Sequence, residues 1–282
     1  MEIDLSNENV LISVLMPNYN GAEYIAEAIE SVLNQTYRDF ELIIIEDAST
    51  DNSREIIDKF AATDSRIKVI QNATNQFVNI SCNIGLEVAK GKYYARIDSD
   101  DICMPTRLEK QLEFMEANPD ITICGAFCKI IDREGRVIAN KTFPTNDAVI
   151  KKSIWSRTPI QHSCLFARID KMREVGFYTG KKDPSEDLEL MIRTMNIFKF
   201  ANIPEYLVKY RIHGDNLIFT KQREIIRRSV RLRKNAIKKY GYQVSFKDIT
   251  VINITWFLQF LPKKFVYWLF YKLIVKNKEL EA

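Results

Sequence analysis

Glycine and proline are sparse in this chain, nine and eight among 282 residues, which excludes collagen-like, low-complexity and disordered architectures. Cysteine is scarce and odd in number. Cys82, Cys103, Cys124, Cys128 and Cys164 contain no C-x-x-C pair, so neither a structural zinc site nor a disulfide framework is expected, and the thiols read as reduced core residues. No stretch offers the roughly 20 consecutive apolar residues that cross a bilayer. The opening MEIDLSNENV has neither a basic start nor an apolar core segment, so no secretion signal is read there and the chain is expected in the cytoplasm.

What remains is the make-up of a folded protein, with enough residues for one large α/β domain or two modest ones at roughly 150 per domain. Charge is distributed unevenly. Residues 219–282 carry 15 Lys/Arg against 4 Asp/Glu, a net +11, while the rest carries 26 against 33, a net −7. A basic tail of this kind points to an acidic partner surface, either nucleic acid or anionic lipid.

Hydrophobic periodicity gives the architecture. Val10–Met16 and Glu41–Ile45 are continuous apolar runs of strand length, separated by a segment with Ile25, Ala28, Ile29, Val32 and Leu33 at helical spacing. The alternation continues with a helix over Asn52–Ala62, a strand over Ile67–Ile70, a helix near Ser81–Ala89, a strand over Lys92–Ile97 and a helix from Pro105 to Ala117. Repeated strand-helix-strand units predict a mostly parallel, Rossmann-like sheet flanked by helices, with ligands beyond the strand C-termini. Pro17–Asn20, Glu46–Asp51 and Asp98–Asp101 fall there. From Ile121 to Phe143 the pattern loosens into strands around a turn at Arg133–Gly135, suggesting a mixed half. The predicted organisation is a polar leader (1–9), a main domain (10–218) with halves 10–118 and 119–218, and a C-terminal basic and aromatic helical region (219–282).

Three carboxylates close the Lys92–Ile97 strand: Asp98, Asp100 and Asp101. Their mutual repulsion is relieved by a cation, and oxygen-only ligation suits Mg²⁺ or Mn²⁺. An acidic turn capping the next helix fits the same letters. Asp47 ends the second strand, where it suits a base or ribose contact or a helix-capping loop with Ser49 and Asp51. Tyr19, in the first crossover loop, is placed to stack on a base.

ISVLMPNYNGAEYIAEAIESVLNQTYRDFELIIIEDASTDNS, followed in order by RIDSDDICMPTRLEKQ, PIQHSCLFAR, SEDLELMIR and YRIH, resembles family 2 glycosyltransferases of the GT-A fold over residues 11–215. The resemblance implies transfer of a sugar from a nucleotide-sugar donor, UDP-linked above all, with inversion at the anomeric carbon and dependence on Mn²⁺ or Mg²⁺. It implies a nucleotide-binding set of Pro17, Asn18, Tyr19, Asn20, Asp47 and Asp98. The metal falls to Asp100 and His213, the catalytic base to Asp187 with Glu186 supporting it, and the acceptor side to His162. Two letters depart from the family pattern: Phe77 stands where glycine is usual, and Met191 replaces an aromatic beside the acidic pair.

Two competing functions are also compatible with parts of the chain. DSDDI after a strand is similar to the nucleophile loop of haloacid-dehalogenase-like phosphatases, in which Asp98 would attack. The tail residues Arg227, Arg228, Arg231, Arg233, Lys234, Lys238 and Lys239 could neutralise nucleic-acid phosphates. Yet Trp256, Phe257, Phe260, Phe265, Tyr267, Trp268, Phe270 and Tyr271 follow at once, and aromatics beside lysines favour an anionic membrane surface over nucleic acid. The expected location is therefore the inner face of the cell membrane, held peripherally, beside a saccharide or lipid-linked acceptor.

Overall fold

The computed structural model describes residues 11–180, 182–214, 216–262, 265, 266 and 268, with Ile218 and Phe219 described by backbone alone. The leader 1–9 and the tail aromatics Tyr267, Phe270 and Tyr271 lie outside the described residues. The two apolar runs become β1 (Ile12–Asn18) and β2 (Phe40–Glu46), each buried along its whole length. With α1 (Ile25–Leu33), α2 (Ser53–Ala61), β3 (Ile67–Gln71), α3 (Val78–Val88) and β4 (Tyr93–Arg96) they form the repeated crossover unit. The four strands lie parallel in the order β3-β2-β1-β4.

The mixed half completes one sheet. It comprises β5 (Ile102–Cys103), α4 (Arg107–Ala117), β6 (Ile123–Ile131), β7 (Val137–Lys141), α5 (Asp147–Ser153), β8 (Phe166–Arg168), α6 (Ile169–Glu174), α7 (Glu186–Thr194) and β9 (Phe200–Arg211). Strand β8 runs antiparallel between β4 and β6, β9 lies parallel to β6, and β5 closes the edge antiparallel to β9. The hairpin expected around Arg133–Gly135 is β6-β7.

Alternation along each buried strand serves two cores at once, because successive side chains point to opposite faces. Ile12, Val14, Met16, Leu42 and Ile44 pack towards α1 and α4, whereas Leu15, Ile43 and Ile45 pack towards α3 and α7. The layers are close enough to demand glycine at one point: a Cβ on Gly91 would sit 2.6 Å from the Ser13 backbone nitrogen. All five cysteines are buried free thiols.

Beyond β9 come α8 (Leu217–Thr220), α9 (Gln222–Tyr240) and α10 (Phe246–Phe257). Gly241, at φ +65°, stops α9, and Ser245 and Asp248 form a capping box that starts α10. Helix α9 buries Ile226, Val230 and Ala236, so it is an integral layer of the fold. Its charge is partly spent inside: Arg228 pairs with buried Asp183, Arg233 donates to the Ile154 carbonyl at 2.8 Å, and Arg227 donates to Gln259 at 2.7 Å. Three of the seven basic residues that could have met nucleic-acid phosphates are thus committed within the chain. The aromatics on and just after α10 behave oppositely, with Phe246, Phe257 and Phe260 exposed at 85%, 61% and 61%.

Candidate active site

The loops after β1 and β2 are knitted together. Asn18 is buried and donates to Glu46 at 2.7 Å and to Ser49 at 3.2 Å, while the Asn20 side-chain Oδ1 accepts the Thr50 amide at 2.7 Å. Pro17 is buried in β1, leaving Tyr19 half exposed at the rim. Asp47 does not cap the next helix. Its Oδ1 accepts Asn72 Nδ2 at 2.7 Å and the Gln76 amide at 2.8 Å, and its Oδ2 accepts the Phe77 amide at 3.0 Å. Asp51 accepts the Ser53 amide at the start of α2 instead.

Strain concentrates in these loops and in the one after β3, as it commonly does at functional sites. Among the described residues, four non-glycines have positive φ, and three of them are Asn20, Ala48 and Phe77. Phe77 (φ 77°, ψ 154°) is held in a region that glycine alone adopts freely, with Lys182 and Lys221 over its ring at 5.3 and 4.2 Å. A glycine here would relieve that strain. Phe77→Gly is expected to melt about 2–4 °C above Phe77→Ala, reversing the ordinary preference for alanine. A calorimetric comparison of the two variants in which alanine melts higher would rule out the strained conformation.

The acidic turn after β4 divides its work. Asp98 accepts Arg96 Nη2 at 2.5 Å and Ser163 Oγ at 2.6 Å; burial opposes its charge, but Arg96 and these bonds outweigh it and hold the pKa at about 2. Asp100 Oδ2 faces His213 Nε2 at 3.0 Å and Asn216 Nδ2 at 3.1 Å. Asp101 is fully buried, and burial together with the charges of Asp100 and Asp98 pushes its pKa well up. Arg211, also buried, pins this turn: its amide donates to Asp101 at 2.8 Å, and its side chain donates to the Asp100 carbonyl at 2.9 Å and to Glu27 at 2.5 Å. Ligand oxygens of Asp98, Asp100 and Asp101 lie within 4.8 Å of one another. Hard oxygens in this number, one carboxyl already driven towards its neutral form by burial and by the others, and an imidazole alongside, fit a divalent cation of the Mg²⁺ or Mn²⁺ type.

The second acidic group opens α7. Glu186 and Asp187 are its first two residues, where the helix dipole favours negative charge. Burial nevertheless lifts Glu186 to about 7, and burial together with the Glu186 charge raises Asp187. His162, buried in a short 3-10 turn (His162–Cys164), has Nδ1 at 3.3 Å from Glu186 Oε1, and burial and Arg96 drop its pKa to about 3. The positive charge of Arg96 acts on Asp98, Glu186 and Asp187 alike. One guanidinium, bonded among these carboxylates to Asp98 alone, therefore acts electrostatically on both acidic groups.

Neither Arg96 nor Arg211 is assigned a role by sequence reasoning. The available signal for Arg96 was a charged letter inside an otherwise apolar strand, YYARI, since a buried cation needs a carboxylate or carbonyls around it; Arg211, in VKYRI beside Lys209, carried no such mark. Met191, on α7, is buried in the core that this helix packs against.

The model for "Glycosyl transferase family 2" matches residues 13–176, and the chain belongs to that family. An uncharacterised glycosyltransferase of Haemophilus influenzae is 34% identical over 253 residues, 86% of this chain and 78% of its own. The Escherichia coli O-antigen biosynthesis glycosyltransferase WbnJ is 34% identical over 212 residues, 72% and 80% of the two chains. In fold, the chain is similar to S. aureus TarS 1-349 in complex with UDP-GlcNAc, with a TM-score of 0.67 at 18% identity over 88% and 72% of the two chains. Family membership overturns the phosphatase alternative, and the geometry agrees, since both oxygens of Asp98 are engaged by Arg96 and Ser163.

Proposed function

We propose that this protein is an inverting, metal-dependent glycosyltransferase that moves a hexose or N-acetylhexosamine from a UDP-linked donor to a hydroxyl of a saccharide or lipid-linked saccharide in surface polysaccharide synthesis. The observation that carries this reading is that the His162–Cys164 turn touches both acidic groups, Ser163 donating to Asp98 and His162 lying 3.3 Å from Glu186, with His213 beside Asp100. The biosynthetic role of WbnJ and the UDP-GlcNAc complex of TarS support the acceptor and donor classes.

Residues 10–118 bind the nucleotide and 119–218 the acceptor. Asp47 has three of its roughly four acceptor sites filled, leaving room for a ring N–H of the base, with Tyr19 stacking and Pro17, Asn18 and Asn20 shaping the loop. Asp98 receives a donor-sugar hydroxyl. A divalent cation held by Asp100 and His213 would neutralise charge on the departing diphosphate. Asp187 removes the proton from an acceptor hydroxyl beside His162; the hydroxyl oxygen bonds to the anomeric carbon from the face opposite the diphosphate, the carbon–oxygen bond to the diphosphate breaks, and configuration inverts. Glu186 supports the basicity of Asp187. The test is a panel of nucleotide sugars with and without chelator, with product configuration read by NMR. An α-linked donor must give a β-linked product, and retention contradicts the scheme.

We also propose that the protein works from the cytoplasm, docked peripherally on the membrane. No described helix is long and apolar enough to cross a bilayer, yet Phe246, Ile254, Phe257 and Phe260 are exposed on and just after α10, and the same tail retains a net positive charge. Such docking raises the local concentration of a lipid-linked acceptor. The full chain is expected to sediment with anionic vesicles and to be released only in part by salt. Replacing Phe257 and Phe260 with serine together removes two rings worth about 1.5–3 kcal/mol each if buried in lipid, so vesicle affinity falls by about a hundredfold or more. Unchanged binding by the double variant would eliminate this face as the anchor.

A further inference from the structure

Four buried side chains from distant parts of the sequence line up, three joined by hydrogen bonds and the fourth in close contact with the third. Tyr94 in β4 meets Tyr178 oxygen to oxygen at 3.0 Å; Tyr178 Oη lies 2.8 Å from His162 Nε2; His162 Nδ1 lies 3.3 Å from Glu186 Oε1. Tyr94 and Tyr178 are 0% and 1% exposed. Tyr178 is held in place from α3, where Asn83 donates to its carbonyl at 2.9 Å and accepts its amide at 3.0 Å. We infer that Tyr94, Tyr178 and His162 act as a positioning relay that fixes the His162 ring with its proton on Nδ1 and so presents Glu186 to the active site as an oriented carboxylate.

Counting protons sets the direction of the chain. Each phenol has one proton to donate, and neutral imidazole has one. If Tyr94 donates to Tyr178, Tyr178 to Nε2 and Nδ1–H to Glu186, every donor has an acceptor. In the reverse direction a protonated Glu186 donates to Nδ1, Nε2–H to Tyr178 and Tyr178 to Tyr94, which strands the Tyr94 proton. The other groups acting on Tyr94 are the Cys82 thiol, a weak acceptor, and Arg96, a donor. A stranded buried donor is costly, so the first direction prevails. Burial keeps both phenols and the imidazole uncharged, so the relay passes orientation without carrying net charge.

The kinetic consequence rests on the glycosyltransferase reading, in which ionised Glu186 keeps Asp187 basic; the tautomer does not depend on it. Arg96 from β4, Asp98 after it, Cys82 from α3, Asp183 before α7 and Asp187 on α7 also face the relay and Glu186, and none is altered by the variants below. The full chain has two histidines, so ¹⁵N-histidine NMR at neutral pH shows two rings, assigned with His213→Gln; His162 is expected as the Nδ1–H tautomer. In Tyr178→Phe, Glu186 takes up a proton more readily. With the donor identified by the panel, the acidic limb of kcat is expected to move about one pH unit higher, the effect of one hydrogen bond to a charged group, with KM for the donor unchanged. Tyr94→Phe moves it less, in the same direction. An Nε2–H tautomer in the wild type overturns the relay, as does a Tyr178→Phe variant slowed equally at all pH values. Absence of transfer from every donor by the wild type would defeat the functional reading and leave the tautomer measurement to decide the relay.

Discussion

Asp187→Asn is expected to lower turnover by about 10²–10⁴, the span attributable to a positioned general base, while donor affinity stays close to that of the wild type. The substitution is nearly isosteric. Asp187 Oδ1 accepts the Leu188 amide at 2.6 Å, and the asparagine oxygen can keep that bond, so the helix start survives. What is lost is the second oxygen's capacity to accept a proton. Burial and the neighbouring Glu186 charge raise Asp187 above the ordinary aspartate range, which brings it towards the pH at which it must work. The sign follows: activity of the wild type falls as pH drops and the acidic pair takes up protons. A change in kcat of less than a few-fold would assign the base elsewhere.

Asp100→Ala is expected to abolish transfer and to weaken UDP binding in the presence of Mn²⁺ or Mg²⁺, both measurable by calorimetry and a coupled assay. Without its carboxylate a diphosphate would approach Asp98 and Glu186 with no intervening cation, and like charges at such distances repel by several kcal/mol at an effective dielectric of about 20. The fold has little stake in Asp100. Its side chain meets only His213 and Asn216 among the described hydrogen bonds, whereas Arg211 holds the turn through the Asp100 carbonyl and the Asp101 carboxylate. The melting temperature should therefore stay near that of the wild type. Full activity in excess chelator would contradict the metal role.

Local physics made part of this architecture legible. VLISVLM and ELIII could bury both faces only in the middle of a parallel sheet, and β1 and β2 lie there. Helix ends were less well marked. Pro105 suggested a first helical turn, but α4 begins at Arg107, because the Pro105 carbonyl is bonded to the Thr36 amide at 2.9 Å and Gln35 caps the Leu108 amide at 3.0 Å. Those partners are about 70 residues away in sequence, beyond the reach of any window. The charge of the tail misled in the same way, since a count of arginines does not say that Arg228 finds Asp183 or that Arg233 finds a buried carbonyl.

The sequence by itself determined the alternation of strand and helix, the acidic turn after β4 and the acidic pair that opens α7, because each is a matter of residues within a few positions of one another. Only the tertiary structure decided that Arg96 bonds Asp98 while its charge acts on the Glu186–Asp187 pair, that Arg211 clamps the turn from 110 positions further along, and that Tyr94 and Tyr178 stand behind His162. A charge or a hydroxyl acts across a few ångströms of low-dielectric interior, and which groups come within that distance is fixed by sheet order: β8, carried between β4 and β6, brings the His162 turn against the end of β4.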